Sequence, residues 1–288
     1  MREPAFAGAF YPRTERELRK ALEEAFNGER GPGSEPPRKK EKHVLAAVVP
    51  HAGYQFSGQC AAWAYHALAA SPVPDLYIVL GTNHAGTGSA LSAETWNTPL
   101  GAVRPDQTFV RALAAKGTVP IDEEAFATEH SVEVQLPFLQ YIQEDVEKLK
   151  IAAMLVSHDV DLKQLAIDIK ETLVEQKKHA VIIASSDFTH HGPDYHYLRF
   201  NQDAATKIYE FDKQMIDLIQ QQKPDELLAF VEKEMATVCG ANAIALLLHL
   251  LKPCTAKLEQ YYTSGDVLND YRNSVSYAAI VFEEKRGK

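Results

Sequence analysis

Cysteine is scarce in this chain. Cys60, Cys239 and Cys254 are the only three in 288 residues, too few and too scattered for a disulfide framework, which excludes the small stapled scaffolds of secreted proteins. No apolar run reaches the roughly 18 residues that a bilayer span needs. The opening Met-Arg-Glu-Pro-Ala-Phe lacks the apolar core of a signal peptide. Basic residues are in the minority, 30 Lys and Arg against 39 Asp and Glu, for a net charge of −9. Such a surface repels phosphate backbones, so no nucleic-acid partner is expected. Neither a phosphate-binding Gly-x-x-x-x-Gly-Lys-Ser/Thr loop nor a Gly-x-Ser-x-Gly nucleophile elbow occurs. Gly81, Gly86 and Gly88 miss the dinucleotide-binding spacing. With 45% hydrophobic and 24% charged residues, the composition is that of a globular protein. The expectation is a cytoplasmic protein, neither spanning a membrane nor secreted.

What is present reads as alternating strands and helices. Thr14 and Glu17 form a capping-box pattern ahead of Leu18, Leu22 and Phe26, which predicts a first helix. A Gly-, Pro- and charge-rich loop comes next at 27–42. Short apolar runs at 44–49, 76–80, 151–156 and 180–184 read as buried strands. Helical patterns lie between them at 60–70 and from Leu162 through Leu173. The last third reads as helical at 203–220, 224–233 and 241–251, and residues 274–282 close the chain as a strand. The spacing predicts an α/β fold, one domain over 1–288, with a mostly parallel central sheet, helices on both faces and a helical C-terminal part.

The polar residues collect just after the strands. The run at 44–49 leads into Pro50-His51-Ala52-Gly53-Tyr54, the run at 76–80 into Gly81-Thr82-Asn83-His84, and the run at 180–184 into Ser185-Ser186-Asp187-Phe188-Thr189-His190-His191. Loops beyond the carboxyl ends of parallel strands share one crevice. Three strands therefore deliver imidazoles, together with the Asp187 carboxylate, to one rim, and such donors suit zinc, iron or copper. Cys239 precedes an apolar helix, whose dipole would lower its pKa and favour the metal-binding or nucleophilic thiolate. The ordinary alternative is a small buried hydrophobe, the fate expected of Cys60 and Cys254. On a helix, Glu129 and Glu133 would share a face, with His130 one position round. Glu129 or His130 would then support a ligand or carry protons, the plainer reading being acidic charge in a helix's first turn.

Taken in order, Pro50-His51-Ala52-Gly53-Tyr54, Gly81-Thr82-Asn83-His84, Glu129-His130-Ser131-Val132-Glu133, Ser185-Ser186-Asp187-Phe188-Thr189-His190 and Cys239-Gly240 resemble the Memo family. Its microbial members are also called AmmeMemoRadiSam system protein B. Ala7-Gly8-Ala9-Phe10-Tyr11-Pro12 near the start and Ser264-Gly265-Asp266 near the end resemble the family's ends. The resemblance implies a fold similar to the class III extradiol ring-cleaving dioxygenases, which hold a non-haem iron. It implies that His51, His84 and Cys239 bind a redox metal, iron or copper, and that Asp187 and His190 line the same cleft. His190 rather than His191 is chosen on that resemblance alone. A sulfur ligand departs from the two-His, one-carboxylate set of the ring-cleaving enzymes and admits zinc as well. Dioxygenase activity is therefore not carried over with the fold.

Three functions are expected from these residues. The first is a metal-dependent oxidoreductase with Asp187, His190 and His130 moving protons or orienting an unknown small molecule. The second is a binding module whose cleft recognises a peptide or small ligand, with radical-SAM and AMMECR-type proteins as the partners the family name implies. The third is an enzyme with Cys239 as nucleophile.

Overall fold

A computed structural model describes residues 1–86 and 88–285; Thr87 and the last three positions of the expected 1–288 domain lie outside them. The chain runs α1 (Glu15–Asn27), β1 (Val44–Val49), α2 (Tyr54–Ala69), β2 (Leu76–Thr82), β3 (Ala90–Ser92), β4 (Trp96–Thr98), β5 (Gly101–Pro105), α3 (Gln107–Ala114) and α4 (Leu136–Ile142). It continues through β6 (Lys150–Val156), α5 (Leu162–Glu175), β7 (Ala180–Ser185), β8 (His190–His191), α6 (Ala204–Gln220), α7 (Pro224–Glu234), α8 (Ala241–Leu250), β9 (Thr255–Thr263), α9 (Ser264–Leu268) and β10 (Ser274–Glu283). No helix among the described residues is long and apolar enough to cross a membrane.

The strands form one sheet in the order β4-β5-β6-β2-β7-β1-β10-β8, with β3 on β6 and β9 on β10. Its heart is parallel: β5 on β6, β6 on β2, β2 on β7 and β7 on β1. The other strand pairings are antiparallel, so the sheet is mixed and the expectation of a mostly parallel one is corrected. The reason is physical. The 274–282 run is buried along its length, and an unbroken apolar run shows burial without showing direction. The helices expected in the C-terminal part are present as α6, α7 and α8, but the strand β9 that follows α8 and pairs with β10 along its length was not expected. Strand β9 alternates exposed and half-buried residues for most of its course, too weak a pattern to read as a strand. The three short strands between β2 and α3 also escaped the sequence reading.

Both faces are covered, as expected. Ala47, Val49, Val79, Ala153 and Ile183 point to one side, where α1, α2 and α4 pack on them with Leu18, Phe26, Tyr65 and Phe138. Ala46, Val48, Ile78, Met154 and Ile182 point to the other, under α3, α5, α6, α7 and α8. This alternation is the period-two geometry of a strand buried on both sides. Helix α1 starts where the cap predicted it, with Thr14 accepting from the Glu17 backbone N–H. Helix α2 starts earlier than the pattern suggested, at Tyr54, and so springs directly from the His51 loop.

The carboxyl ends of β1, β7 and β2 lie side by side: Val49 pairs with Ser185, and Leu80 with Ala184. The loops leaving them therefore share one rim, as the sequence implied. A sheet end becomes a site only when a further loop closes over it. Gly81 allows this, because a Cβ there would stand 2.5 Å from Ser131 Oγ and 2.8 Å from Val132, and the 129–133 loop rests against the end of β2.

Candidate metal centre

His51 is fully buried just past β1. Its Nδ1 lies 3.0 Å from Ser185 Oγ. That hydroxyl donates its one hydrogen to the Ser131 carbonyl at 2.6 Å and accepts from Gln135 Nε2 at 2.8 Å, so towards His51 it accepts. His51 is therefore the Nδ1–H tautomer, and its Nε2 carries the lone pair, which faces the Cys239 sulfur. Burial, with His130, His84 and His190 adding to it, holds its pKa well below the usual imidazole range. The ring stays neutral, as a ligand must.

His84, in the loop after β2, is held in a comparable way. Glu129 accepts its backbone N–H at 2.9 Å and lies 2.9 Å from its Nδ1. Ser131 N–H donates to the other oxygen at 2.7 Å. Burial raises the Glu129 pKa, but the His84 hydrogen bond and charge and the two backbone donors outweigh it and bring it to about 2. A carboxylate orienting an imidazole from behind is the arrangement that supports metal-bound histidines. Glu129 thus takes the supporting role expected of it, although not on a helix. Residues 129–132 form a loop ahead of a 3-10 turn over Glu133–Gln135, so Glu129 and Glu133 share no helical face. The loop faces them apart, Glu129 to His84 and Glu133 to Arg2 and Tyr11.

His130 completes the group. Its ring stacks on His84 at 4.7 Å between centroids and 17° between planes, and meets His51 edge-on at 5.2 Å. Burial lowers its pKa to about 4, against an opposing pull from Glu129. One ring nitrogen from each of His51, His84 and His130 lies within 4.8 Å of the others. Imidazoles at that separation form a group that could hold a metal ion. The donor set fits a borderline transition metal.

Cys239 sits beside this trio. Its Sγ is 3.1 Å from His51 Nε2 and 3.2 Å from the Asp187 N–H. Gly240 makes the approach possible: a Cβ there would come within 2.5 Å of Ser186 Cβ, while its N–H donates to Ser186 Oγ at 3.0 Å. The expected lowering of the thiol pKa does not occur. Burial and the nearby Asp187 raise it, and the backbone N–H donors do not compensate. The start of α8 gives too small an effect to overcome burial. All three cysteines are free, with Cys60 and Cys254 buried.

Asp187 accepts the His51 N–H at 2.8 Å, and its Oδ2 is 4.0 Å from His51 Nε2. Burial pushes its pKa up to about 6, opposed by His190 and by the backbone N–H groups of His51 and Ala52. His190 Nδ1 lies 2.9 Å from the Phe188 carbonyl and 3.0 Å from that of Thr237. Nδ1 therefore carries the proton, and Nε2 is left free. His190 lines the cleft, whereas its neighbour His191 is buried and stacks on Phe200. The cleft has a volume of about 470 Å³, within the range of small-molecule sites. Phe10, Phe56, Tyr195 and Tyr277 also line it, Phe10 against His130 and Tyr195 against His190.

The sequence reading thus brought His51, His84, His130, Asp187, His190 and Cys239 into one neighbourhood, and the structure places them there. It foresaw Glu129 in support but assigned no role to Ser185, Gln135, Glu133 or Phe10. Ser185 was visible as the residue just after the 180–184 run. Gln135 carries no local signal, and Glu133 and Phe10, though part of the motifs, are brought near only by the fold.

The molecule is therefore an α/β protein with a histidine-lined cleft at the carboxyl edge of a mixed sheet. Residues 2–281 match the Memo-like protein family, and the chain belongs to that family. It is 41% identical to a MEMO1 family protein of Methanopyrus kandleri, over 98% of both chains. It is 33% identical to one of Methanothermobacter thermautotrophicus, over 97% of this chain and 99% of the other. An uncharacterized protein from Escherichia coli K12 shares the fold, with a TM-score of 0.52 and 14% identity over 83% of this chain and 99% of that one.

Proposed function

We propose that the cleft binds a single transition-metal ion, iron or copper with zinc as a third candidate, and supports oxidoreductase-type chemistry on a small molecule. The observation that carries this reading is the convergence of three imidazoles within 4.8 Å, two of them with Nδ1 engaged from behind and one with the Cys239 sulfur at its Nε2. His51 and His84 are the fixed ligands. His130 is the third donor for an ion that prefers nitrogen, and Cys239 the donor for a softer ion, which must displace the thiol proton that burial retains. When bound, the ion supplies Lewis acidity or a one-electron couple. The chain's own residues do the rest. Asp187, with a pKa of about 6, and His190, with Nε2 free, hold and move protons beside the ligand, and the aromatic wall excludes water from it. A fold like that of the class III extradiol dioxygenases, and docking of radical-SAM and AMMECR-type partners, belong to the same proposal and rest on the family resemblance.

The test is anaerobic purification with elemental analysis of the wild type, His51→Ala and Cys239→Ser. The expected result is about one transition-metal ion per wild-type chain and a loss of at least about tenfold in His51→Ala. Retention in Cys239→Ser assigns the third position to His130, and loss assigns it to Cys239. A wild type that takes up no iron, copper or zinc contradicts the reading and favours the binding module.

A further inference from the structure

The three imidazoles are not held alike. His51 leans on Ser185 and His84 on Glu129, but the nearest polar partner of His130, Glu129 Oε1, stands 3.6 Å from its Nδ1. What touches the His130 ring is aromatic. Phe10 lies against it at 4.3 Å between centroids and 32° between planes, and Phe6 at 5.4 Å. Both belong to the first eleven residues, an arm that bridges to β4 through Arg2 and packs Phe6, Phe10 and Tyr11 on the core.

Beyond that bridge, four donors of the arm converge on one carboxylate. Glu133 is fully buried and accepts from the Phe6 N–H at 2.8 Å, the Ala5 N–H at 3.2 Å, the Tyr11 hydroxyl at 2.7 Å and Arg2 Nη1 at 2.6 Å. Arg2 in turn donates to the Glu129 carbonyl at 2.9 Å and lies over the Trp96 ring at 4.3 Å. At the arm's other end, the Phe10 carbonyl accepts the Tyr54 N–H at 2.8 Å, three residues beyond His51. Four donors on one buried carboxylate are more than a surface ion pair needs. They bind the arm to the His130 loop, and the Tyr54–Phe10 bond ties it to the His51 loop.

We infer that Glu133 is a positioning residue for the metal centre: through the N-terminal arm it holds Phe10 and Phe6 against His130 and so fixes the one donor ring that no hydrogen bond fixes. The inference rests on the reading of His130 as a donor. Its logic is that of outer partners around metal sites, whose loss costs tenfold to a hundredfold in affinity, with packing here in the place of a hydrogen bond.

The test uses the full chain and Co²⁺ as probe. Glu133→Gln is expected to weaken Co²⁺ binding about tenfold while far-UV circular dichroism stays that of the wild type. The His130 ring proton resonances, displaced by stacking on Phe10, should move towards unstacked positions in the metal-free protein. In a His130→Ala background, Glu133→Gln should cause no further loss, since coupled residues are not additive. Unchanged His130 resonances, or an equal loss in the His130→Ala background, overturn the inference. If Glu133→Gln does not fold, Phe10→Leu carries the test, with the same tenfold loss and the same non-additivity expected and an unchanged affinity fatal. If the wild type takes up no Co²⁺, it is the metal reading that fails. The His130 resonances still decide whether Glu133 holds the ring.

Discussion

Two corners of the cleft each bury a carboxylate, and they hold it in opposite states. Behind His84, Glu129 takes a backbone N–H from His84, another from Ser131 and the His84 ring nitrogen, and its pKa is brought to about 2. Behind His51, the Asp187 carboxylate accepts the His51 backbone N–H and stands 4.0 Å from the His51 ring, which burial keeps uncharged, and its pKa rises to about 6. Both are nearly closed to solvent, but Asp187 lies the deeper of the two. Depth of burial and the supply of donors and positive charge together decide the outcome. One corner is a fixed anchor for a ligand, and the other can exchange a proton near neutral pH, a division of labour common to paired carboxylates in catalytic sites.

The comparison breaks most visibly at Glu129. A carboxylate whose folded pKa lies below its ordinary 4.5 gives stability that is complete above that value and is lost as pH falls towards 2. Glu129→Gln should therefore cost roughly 2–3 kcal/mol at pH 7, and denaturant unfolding of variant and wild type should converge at the acid end. A constant gap across pH would show that Glu129 acts by shape alone. Asp187 has the opposite sign. Its ionised form is disfavoured in the fold, so stability from this group falls as pH rises from 3.8 through 6. Asp187→Asn should be more stable than the wild type at pH 8, by on the order of 1 kcal/mol, and equal to it near pH 3. It should also abolish a carboxyl infrared band that titrates near pH 6 in the wild type. A variant less stable at pH 8 would place Asp187 with Glu129 as an anchor. The smallest effect sharpens the Asp187 corner. With its thiol pKa raised, Cys239 should alkylate at pH 7 about tenfold more slowly than an unfolded-chain thiol. Fast, selective alkylation would restore the nucleophile reading.

Much of this cleft was legible in the chain, for a stated reason. The apolar runs ending at Val49, Leu80 and Ala184 are buried on both faces, and the loops that leave such strands in a parallel core lie at one edge, so His51, His84 and Asp187 could be grouped before any fold was known. His130 could be suspected from its place beside Glu129 and from the family's motif but not located, because its loop is placed by the contact of Gly81 with Ser131 and Val132. Direction in the sheet was not legible. Strand β10 looks from its sequence like any buried strand, and β9 alternates too weakly to look like one. Nor was the state of Cys239. A helix dipole is visible in a sequence, but the burial that overrides it and the approach of Asp187 arise from packing. The choice of His190 over His191 could not be read from adjacent residues, and the structure resolves it through the Phe188 and Thr237 carbonyls and the Phe200 ring.

The most direct test is X-ray absorption on the zinc-loaded wild type, prepared without oxygen. The account predicts at least two imidazole nitrogens at about 2.0–2.1 Å, with either a third nitrogen or one sulfur at about 2.3 Å, and loss of the imidazole scattering in His51→Ala with His84→Ala. An ion surrounded by oxygen alone, or the same spectrum in that double variant, would contradict it.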